Sequence, residues 1–167
     1  MLVRDIMTTK VVTVSPDTPV EEVARLIAEK KISGVFVVEG SRPIGQISHA
    51  DLLRRTHPTP AELYEDFVHN GDYEEIEHRI SDLVGVPAAE LMRPGMLMVS
   101  PDTPVMKVSA MMLVRDVHRA AVLDDKGLCG IVSRGDVFFH LIRAEVLKKR
   151  GARARTRARA PARTVRA

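Results

Sequence analysis

The chain has 167 residues, of which 45% are hydrophobic, and a formal net charge of +3, so it is long enough to bury a core. No apolar run approaches the roughly 20 residues that a membrane span needs, and the first residues lack the apolar stretch of a signal peptide. We therefore expect a soluble cytoplasmic protein without membrane contact. The single cysteine, Cys129, excludes an intrachain disulfide, and its apolar neighbours predict a buried structural thiol.

A heptapeptide, Val-Ser-Pro-Asp-Thr-Pro-Val, occurs at residues 14–20 and again at residues 99–105. The ungapped alignment at this offset runs from Asp5/Glu90 to Asp51/Asp136 and contains 13 identities in 47 positions. The chain is therefore an internal duplication. Two copies of one unit predict pseudo-twofold packing with a cleft between equivalent surfaces.

The first repeat has the pattern of an α+β unit. Thr18 is placed to cap a helix, Pro19 suits its first position, and Glu21 is placed to complete a capping box. Apolar residues then recur with helical spacing up to Lys31. β-branched runs bounded by turn residues predict the strands. The predicted elements are a lead-in helix at 3–7, strands at 11–14, 35–38 and 44–48, a helix at 19–31 and a helix from about Asp51.

The second repeat reproduces this order, so we predict a β-α-β-β-α unit twice, each around a small mixed sheet. Its elements are a lead-in helix at 88–92, strands at 96–99, 120–123 and 128–133, and helices at 104–115 and from about Gly135 to Lys149. Five methionines are interpreted as adaptable packing in the core or in a dimer interface. They are Met96, Met98, Met106, Met111 and Met112.

The segment between the repeats is acidic, since residues 57–92 hold nine Asp or Glu against the single basic residue Arg79. Two short helices are predicted there, at 60–69 and 72–84, with core contacts from Leu63, Phe67, Ile76, Ile80 and Leu83. The chain ends in the opposite charge, because residues 149–167 hold eight Lys or Arg and no acid. The predicted domains are repeat 1 at 1–56, an acidic helical linker at 57–86, repeat 2 at 87–149 and a disordered Arg-rich tail at 150–167.

Each repeat ends a strand with a serine and places an aspartate three residues later: Ser48 with Asp51, and Ser133 with Asp136. One interpretation is a helix N-cap, in which these side chains bond the first backbone N–H groups. The other is a ligand site, since N–H groups and hydroxyls suit a phosphate and a carboxylate suits the hydroxyls of a ribose. The recurrence of the pair in a duplicated unit favours ligand binding.

These motifs, with the valine-rich strand pattern at 11–14 and the run from Ile32 to Val38, resemble a cystathionine-β-synthase (CBS) domain. The second repeat resembles another, so residues 1–145 resemble a CBS pair, or Bateman module. The resemblance implies a regulatory protein, not an enzyme, that binds AMP, ADP or ATP, with S-adenosylmethionine and NADH as other candidates. It also implies a homodimer in the form of a flat disc and a regulated partner that the sequence does not identify.

By the same resemblance, Asp51 and Asp136 hold ribose hydroxyls, and Ser48 and Ser133 hold phosphate or ribose oxygens. Lys10, Val11, Gly95 and Met96 line the adenine pocket, while His118, Arg119 and Arg134 are phosphate partners. The proline that the family often has before a strand valine is replaced by Phe36 and Ala121. Repeat 1 has Ser33 and Gly34 where repeat 2 has His118 and Arg119, so we expect unequal sites, with the phosphate site relying on repeat 2.

Other chemistry has weaker support. No histidine lies in a Cys/His spacing typical of zinc, so no metal site is predicted, and His57, His69 and His78 are expected at the surface. Ser48 and Ser133 have no identifiable base, which argues against a hydrolase. An alternative function remains open, in which the CBS core is a dimeric scaffold and residues 150–167 bind nucleic acid or an acidic protein.

Overall fold

The computed structural model describes residues 1–56 and 78–158, with side chains described up to Lys149. The predicted helix at 60–69, the beginning of the helix predicted at 72–84, and residues 159–167 lie outside these ranges. The predicted core residues Leu63, Phe67 and Ile76 and the histidines His57 and His69 lie outside them as well.

Both repeats have the predicted order of elements, which confirms the α+β fold class. Repeat 1 consists of a 3-10 helix Val3–Asp5, β1 Thr13–Val14, α1 Val20–Lys30, β2 Gly34–Glu39, β3 Arg42–Ser48 and α2 His49–Thr56. Repeat 2 consists of α3 Ala88–Leu91, β4 Leu97–Val99, α4 Val105–Val114, β5 Arg119–Asp124, β6 Gly127–Ser133 and α5 Arg134–Ala158. Among the described residues, no helix combines the length and apolarity needed to cross a bilayer.

Each repeat contains a three-stranded mixed sheet, with strand orders β1-β2-β3 and β4-β5-β6. The first two strands are parallel and the last two are antiparallel. The register shifts at the equivalent point in both hairpins, after Val37 and after Val122. Each repeat has its own apolar core, and a third apolar cluster joins the two repeats. This shared cluster consists of Phe36, Met96 and Ala121. The sheets therefore meet through a packed core, beside which a cleft remains.

The lead-in segments are exchanged between the repeats. Val3 and Ile6 are buried in the core of repeat 2, whereas Ala88 and Leu91 are buried in the core of repeat 1. The backbone contacts are equivalent: Val3 N–H donates to the Thr103 carbonyl at 2.9 Å, and Ala88 N–H donates to the Thr18 carbonyl at 2.8 Å. We expected each repeat to have its own lead-in helix, and the structure shows that each repeat uses that of the other.

The exchange explains why glycine stands at both Gly45 and Gly130. A Cβ on Gly45 would lie 2.5 Å from the Met92 sulfur, and a Cβ on Gly130 would lie 2.7 Å from the Met7 sulfur. Met7 and Met92 follow the lead-in helices of opposite repeats. Glycine at these two strand positions therefore makes room for the methionine that arrives from the other half.

The predicted cap of α1 is not formed. The helix begins after Pro19, with no capping bond from a side chain. The Thr18 hydroxyl instead accepts the Ser15 N–H at 3.0 Å, and Glu21 accepts the Gly85 N–H at 2.9 Å. Because the Val20 N–H donates to the Val86 carbonyl at 2.9 Å, the exchanged backbone satisfies a donor that a side chain was expected to satisfy.

Some predicted boundaries and burials also differ from the structure. Helix α5 continues to Ala158, beyond the predicted end at Lys149, since the alanines and arginines that follow favour a helix. Residues 78–81 are helical, as predicted, but Ile80 is exposed and only Leu83 packs on the core of repeat 1. Of the five methionines, Met96 and Met112 are buried, whereas Met98 and Met106 are exposed.

Candidate functional site

A cavity of about 610 Å³ lies between the repeats, beside the shared apolar cluster. Its walls come from the chain before β1, the turn from α1 into β2, the start of β5, and the junction of β6 with α5. The lining residues are Thr8, Lys10, Val11, Val12, Lys31, Ile32, Ser33, Gly34, Val35, Phe36, His118, Arg119, Ile131, Ser133, Arg134, Gly135 and Asp136.

The charged side chains of this lining are predominantly basic. Four are Lys or Arg, namely Lys10, Lys31, Arg119 and Arg134, and one is acidic, Asp136. Apolar side chains, including Val11 and Ile131, form other parts of the wall. A cleft with apolar walls, several cations and one carboxylate suits a ligand that has a flat apolar part, hydroxyl groups and a negative charge.

Ser133 and Asp136 form a helix cap at the start of α5. One carboxylate oxygen of Asp136 accepts the Ser133 N–H at 2.8 Å and contacts the Ser133 hydroxyl at 2.7 Å. The same hydroxyl accepts the Asp136 N–H at 3.2 Å. Among the described residues, the second carboxylate oxygen, Oδ1, has no cation within ion-pair distance. The capping interpretation is therefore correct for this pair, and it uses only one of the two carboxylate oxygens of a residue that lines the cavity.

In repeat 1 the Asp51 carboxylate bonds the Ser48 N–H and hydroxyl in the same way, but Asp51 is covered. Its Oδ2 accepts the Ser48 N–H at 2.8 Å, and its Oδ1 lies 2.6 Å from the Arg93 Nε and 3.4 Å from an Arg54 nitrogen. Only 4% of the Asp51 side chain is exposed. The two aspartates therefore share a backbone role and differ in what their second oxygen contacts.

Arg119 lines the cavity and also interacts electrostatically with Asp51 and Arg93 of the other half. One of its terminal nitrogens donates to the Ser33 hydroxyl at 2.7 Å. Burial lowers the pKa of the Arg119 guanidinium below its ordinary value, while the Asp51 carboxylate raises it and the Arg93 guanidinium lowers it further. Arg119 is thus a partly desolvated cation in the cavity wall, where an anion would be attracted strongly.

Arg134 lines the cavity, but one of its terminal nitrogens is bonded to other parts of the protein. It donates to the Met112 carbonyl at 2.9 Å and to the Asp116 carboxylate at 3.1 Å. Its Nε is buried and has no hydrogen-bond partner among the described residues. Arg134 therefore fixes the junction of α4 and α5, and it is less available to a ligand than Lys10 or Lys31.

The structure places seven predicted residues around the cavity: Lys10, Val11, His118, Arg119, Ser133, Arg134 and Asp136. Ser48 and Asp51 are not part of its lining. Met96 is buried in the shared apolar cluster, and Gly95 is exposed with a positive φ of 80°. Phe36, which stands where the family often has a proline, is packed in that cluster and forms one wall of the cavity.

Two functional residues were missed from the sequence, Lys31 and Arg93. In the internal alignment each of them is matched by a residue of different charge: Lys31 by Asp116, and Arg93 by Thr8. Lys31 and Asp116 both have a positive φ, of 52° and 48°, so they hold equivalent positions with opposite charge. A search for unequal charges between the repeats would have found both residues.

The described residues favour neither a metal site nor a reactive thiol. In the part of the chain that the structure describes, no group of His, Cys, Asp and Glu is arranged to hold a metal ion. Cys129 is partly buried, and its thiol lies 3.3 Å from the Val122 carbonyl. Burial and the nearby Asp124 carboxylate raise the pKa of this thiol, which disfavours the reactive thiolate and agrees with a structural role.

Two equivalent α+β units around a shared cleft define a tandem-repeat protein of the Bateman type, and comparison with known proteins agrees. The model of the CBS domain family matches residues 3–57 and 88–143. The chain belongs to the CBS domain family, which confirms the resemblance seen in its motifs.

The relatives cover most of the chain. It is 30% identical to an uncharacterized Methanocaldococcus jannaschii protein, MJ1426, over 85% of this chain and 92% of the relative. It is 26% identical to the CBS domain-containing protein YhcV of Bacillus subtilis, over 81% of each chain. Among solved structures, CBSX2 in complex with AMP matches with a TM-score of 0.65 and 28% identity, covering 86% of this chain and 98% of CBSX2.

Proposed function

We propose that the protein is a regulatory, non-catalytic CBS pair that binds an adenosine nucleotide in the Asp136 cleft. The proposal rests on Asp136, which lines a cavity with several cations and whose Oδ1 has no cation at ion-pair distance among the described residues. The volume of about 610 Å³ lies within the range of small-molecule sites, which is roughly 300–1,000 Å³. The AMP complex of CBSX2, a relative of similar fold, supports the choice of ligand class.

Each part of the ligand has a counterpart in the cavity. The Asp136 Oδ1 accepts hydrogen bonds from the ribose hydroxyls, because an ionised carboxylate is an acceptor only. Val11, Phe36 and Ile131 offer apolar surface to the adenine ring. Lys10, Lys31 and Arg119 attract the phosphate, as cations in a partly desolvated cleft do. AMP, ADP and ATP fit this charge pattern best, and S-adenosylmethionine and NADH are comparison ligands.

Asp136→Asn is expected to weaken AMP or ATP binding by about 10- to 100-fold, which corresponds to the loss of a charge-assisted hydrogen bond. Asparagine keeps a side-chain oxygen that can accept the Ser133 N–H, so the melting temperature without ligand should change little. Isothermal titration calorimetry measures the affinity, and thermal shift against all five ligands ranks them.

Asp125→Asn is the matched control, because Asp125 is exposed and does not line the cavity. It removes the same charge and should leave the affinity unchanged. Equal affinities for the wild type and Asp136→Asn would contradict the assignment of the ribose to Asp136.

Regulation through such a site needs a state that ligand binding favours, and we propose that this state is a homodimer. The helices of repeat 2 pack together and expose large apolar side chains. These are Met106, Leu113 and Val114 on α4, and Phe138, Phe139 and Ile142 on α5. The corresponding helix α1 instead exposes the ion pairs of Arg25 with Glu22 and Glu29. An apolar patch on one repeat favours an isologous contact between two copies.

The dimer is tested with Phe138→Lys combined with Ile142→Lys. We expect the wild type to sediment with twice the chain mass and the variant with the mass of one chain, since two charges in an apolar interface cost several kcal/mol. Substituting exposed Glu22 and Glu29 of α1 by lysine is the control and should leave the dimer intact. A wild type that sediments as a monomer at high concentration would exclude the proposal.

The binding of nucleic acid or of an acidic protein by the Arg-rich tail stays a prediction. Residues 159–167 lie outside the described ranges, and of residues 150–158 only the helical backbone is described. The protein that the CBS pair regulates, and its location in the cytoplasm, also remain predictions.

A further inference from the structure

The pseudo-twofold arrangement implies two clefts, yet the cavity lining contains Asp136 and not Asp51. Both aspartates begin a helix after a strand-end serine, and both use one oxygen to cap that helix. The backbone of repeat 1 therefore places Asp51 in the same local geometry as Asp136. What differs must be the side chains that surround it.

Arg93 is the side chain that covers Asp51. Its Nε lies 2.6 Å from the Asp51 Oδ1, the oxygen equivalent to the one that is free in Asp136. A guanidinium and a ribose diol are both donors that pair with a carboxylate, so they compete for the same acceptor. Arg93 thus takes the position that the ligand's sugar would take.

The position of Arg93 is set by backbone hydrogen bonds. Arg93 and Gln46 exchange two backbone hydrogen bonds, of 2.9 and 3.1 Å, and Thr8 and Ile131 exchange two bonds of 2.9 Å in the other half. Residues 8 and 93 therefore hold equivalent positions in the two halves. Threonine is short and leaves Asp136 open, whereas arginine is long enough to reach across to Asp51.

We propose that the Asp51 cleft is a second nucleoside site that Arg93 holds closed, so that each chain binds one nucleotide and not two. The inference rests on the function proposed above. More than half of the Arg93 side chain is exposed, so its pairing with Asp51 is partly screened and can be displaced. The Asp51 carboxylate therefore becomes accessible to a nucleoside when Arg93 moves away from it.

The test is Arg93→Thr, which gives repeat 2 the residue that repeat 1 has at the equivalent position. Calorimetry with AMP and with adenosine measures the number of bound molecules per chain. We expect one for the wild type and two for Arg93→Thr. Adding Asp51→Asn to Arg93→Thr should weaken the new site, and adding Asp136→Asn instead should weaken the original site, each by about 10- to 100-fold as expected for the loss of one charge-assisted hydrogen bond.

Arg42→Thr is the matched control, since Arg42 is an exposed arginine at the start of β3, outside the cavity lining. It should bind one molecule, as the wild type does. One molecule bound by both the wild type and Arg93→Thr would overturn the inference and leave the proposed function intact. Two molecules bound by the wild type would also overturn it, and absence of binding to every variant would overturn both proposals.

Discussion

Replacing Val3 and Ile6 together by alanine is expected to lower the free energy of unfolding by at least about 3 kcal/mol. Both side chains are buried in the core of repeat 2, with Val3 at 0% exposure, although they belong to the repeat 1 half of the chain. An Ile→Ala change in a core costs about 2–5 kcal/mol by itself, and Val3→Ala adds a second cavity. Since domains have only about 5–15 kcal/mol to lose, we expect a marked loss of folded protein.

Urea unfolding followed by far-UV circular dichroism measures this effect. Arg4→Ala is the control within the same segment, because Arg4 is exposed and pairs with exposed Asp102. Such surface pairs contribute about 0–1 kcal/mol. If the Val3/Ile6 variant and Arg4→Ala unfolded at the same urea concentration, the exchanged packing would be refuted.

Phe36→Ala is expected to lower the free energy of unfolding by about 3–5 kcal/mol. Phe36 is 1% exposed and packs with Met96 and Ala121 in the cluster that joins the repeats. Ala121, the residue equivalent to Phe36, is small, so truncating the ring would leave a cavity in the cluster that joins the repeats.

The midpoint and slope of urea unfolding report this change, and Leu53→Ala is the control because Leu53 is 55% exposed. A loss below about 1 kcal/mol for Phe36→Ala would mean that the repeats are held together elsewhere. Two separate transitions would mean that the cluster couples two units that can each fold alone.

The sequence predicts most of the fold because the signals are local and repeated. Helical spacing after Pro19 and β-branched runs at 35–38 define elements that the structure places within about two residues. Thr18 shows where such reasoning fails. Its capping role depends on which backbone lies nearby, and Val86, far away in sequence, takes the donor that Thr18 was expected to satisfy.

The candidate site could be predicted in part for a similar reason. Ser133 and Asp136 form a motif, so their positions follow from the pattern, and the inequality of Ser33 and His118 predicts that the two halves differ. Arg93 belongs to no motif. Its contact with Asp51 depends on the pairing of residue 93 with Gln46, which is a tertiary contact between the lead-in and the opposite repeat.

The exchanged lead-ins constrain the origin of the duplication. A lone copy of the unit would lack the segment that fills its own core, and it could obtain that segment only from another molecule, as in a domain-swapped dimer. Joining two such copies in one chain makes the donated segment part of the same molecule, so assembly no longer depends on concentration. The protein is therefore expected to resemble a domain-swapped dimer whose two copies are joined in one chain. Neither half is expected to fold stably when it is expressed alone.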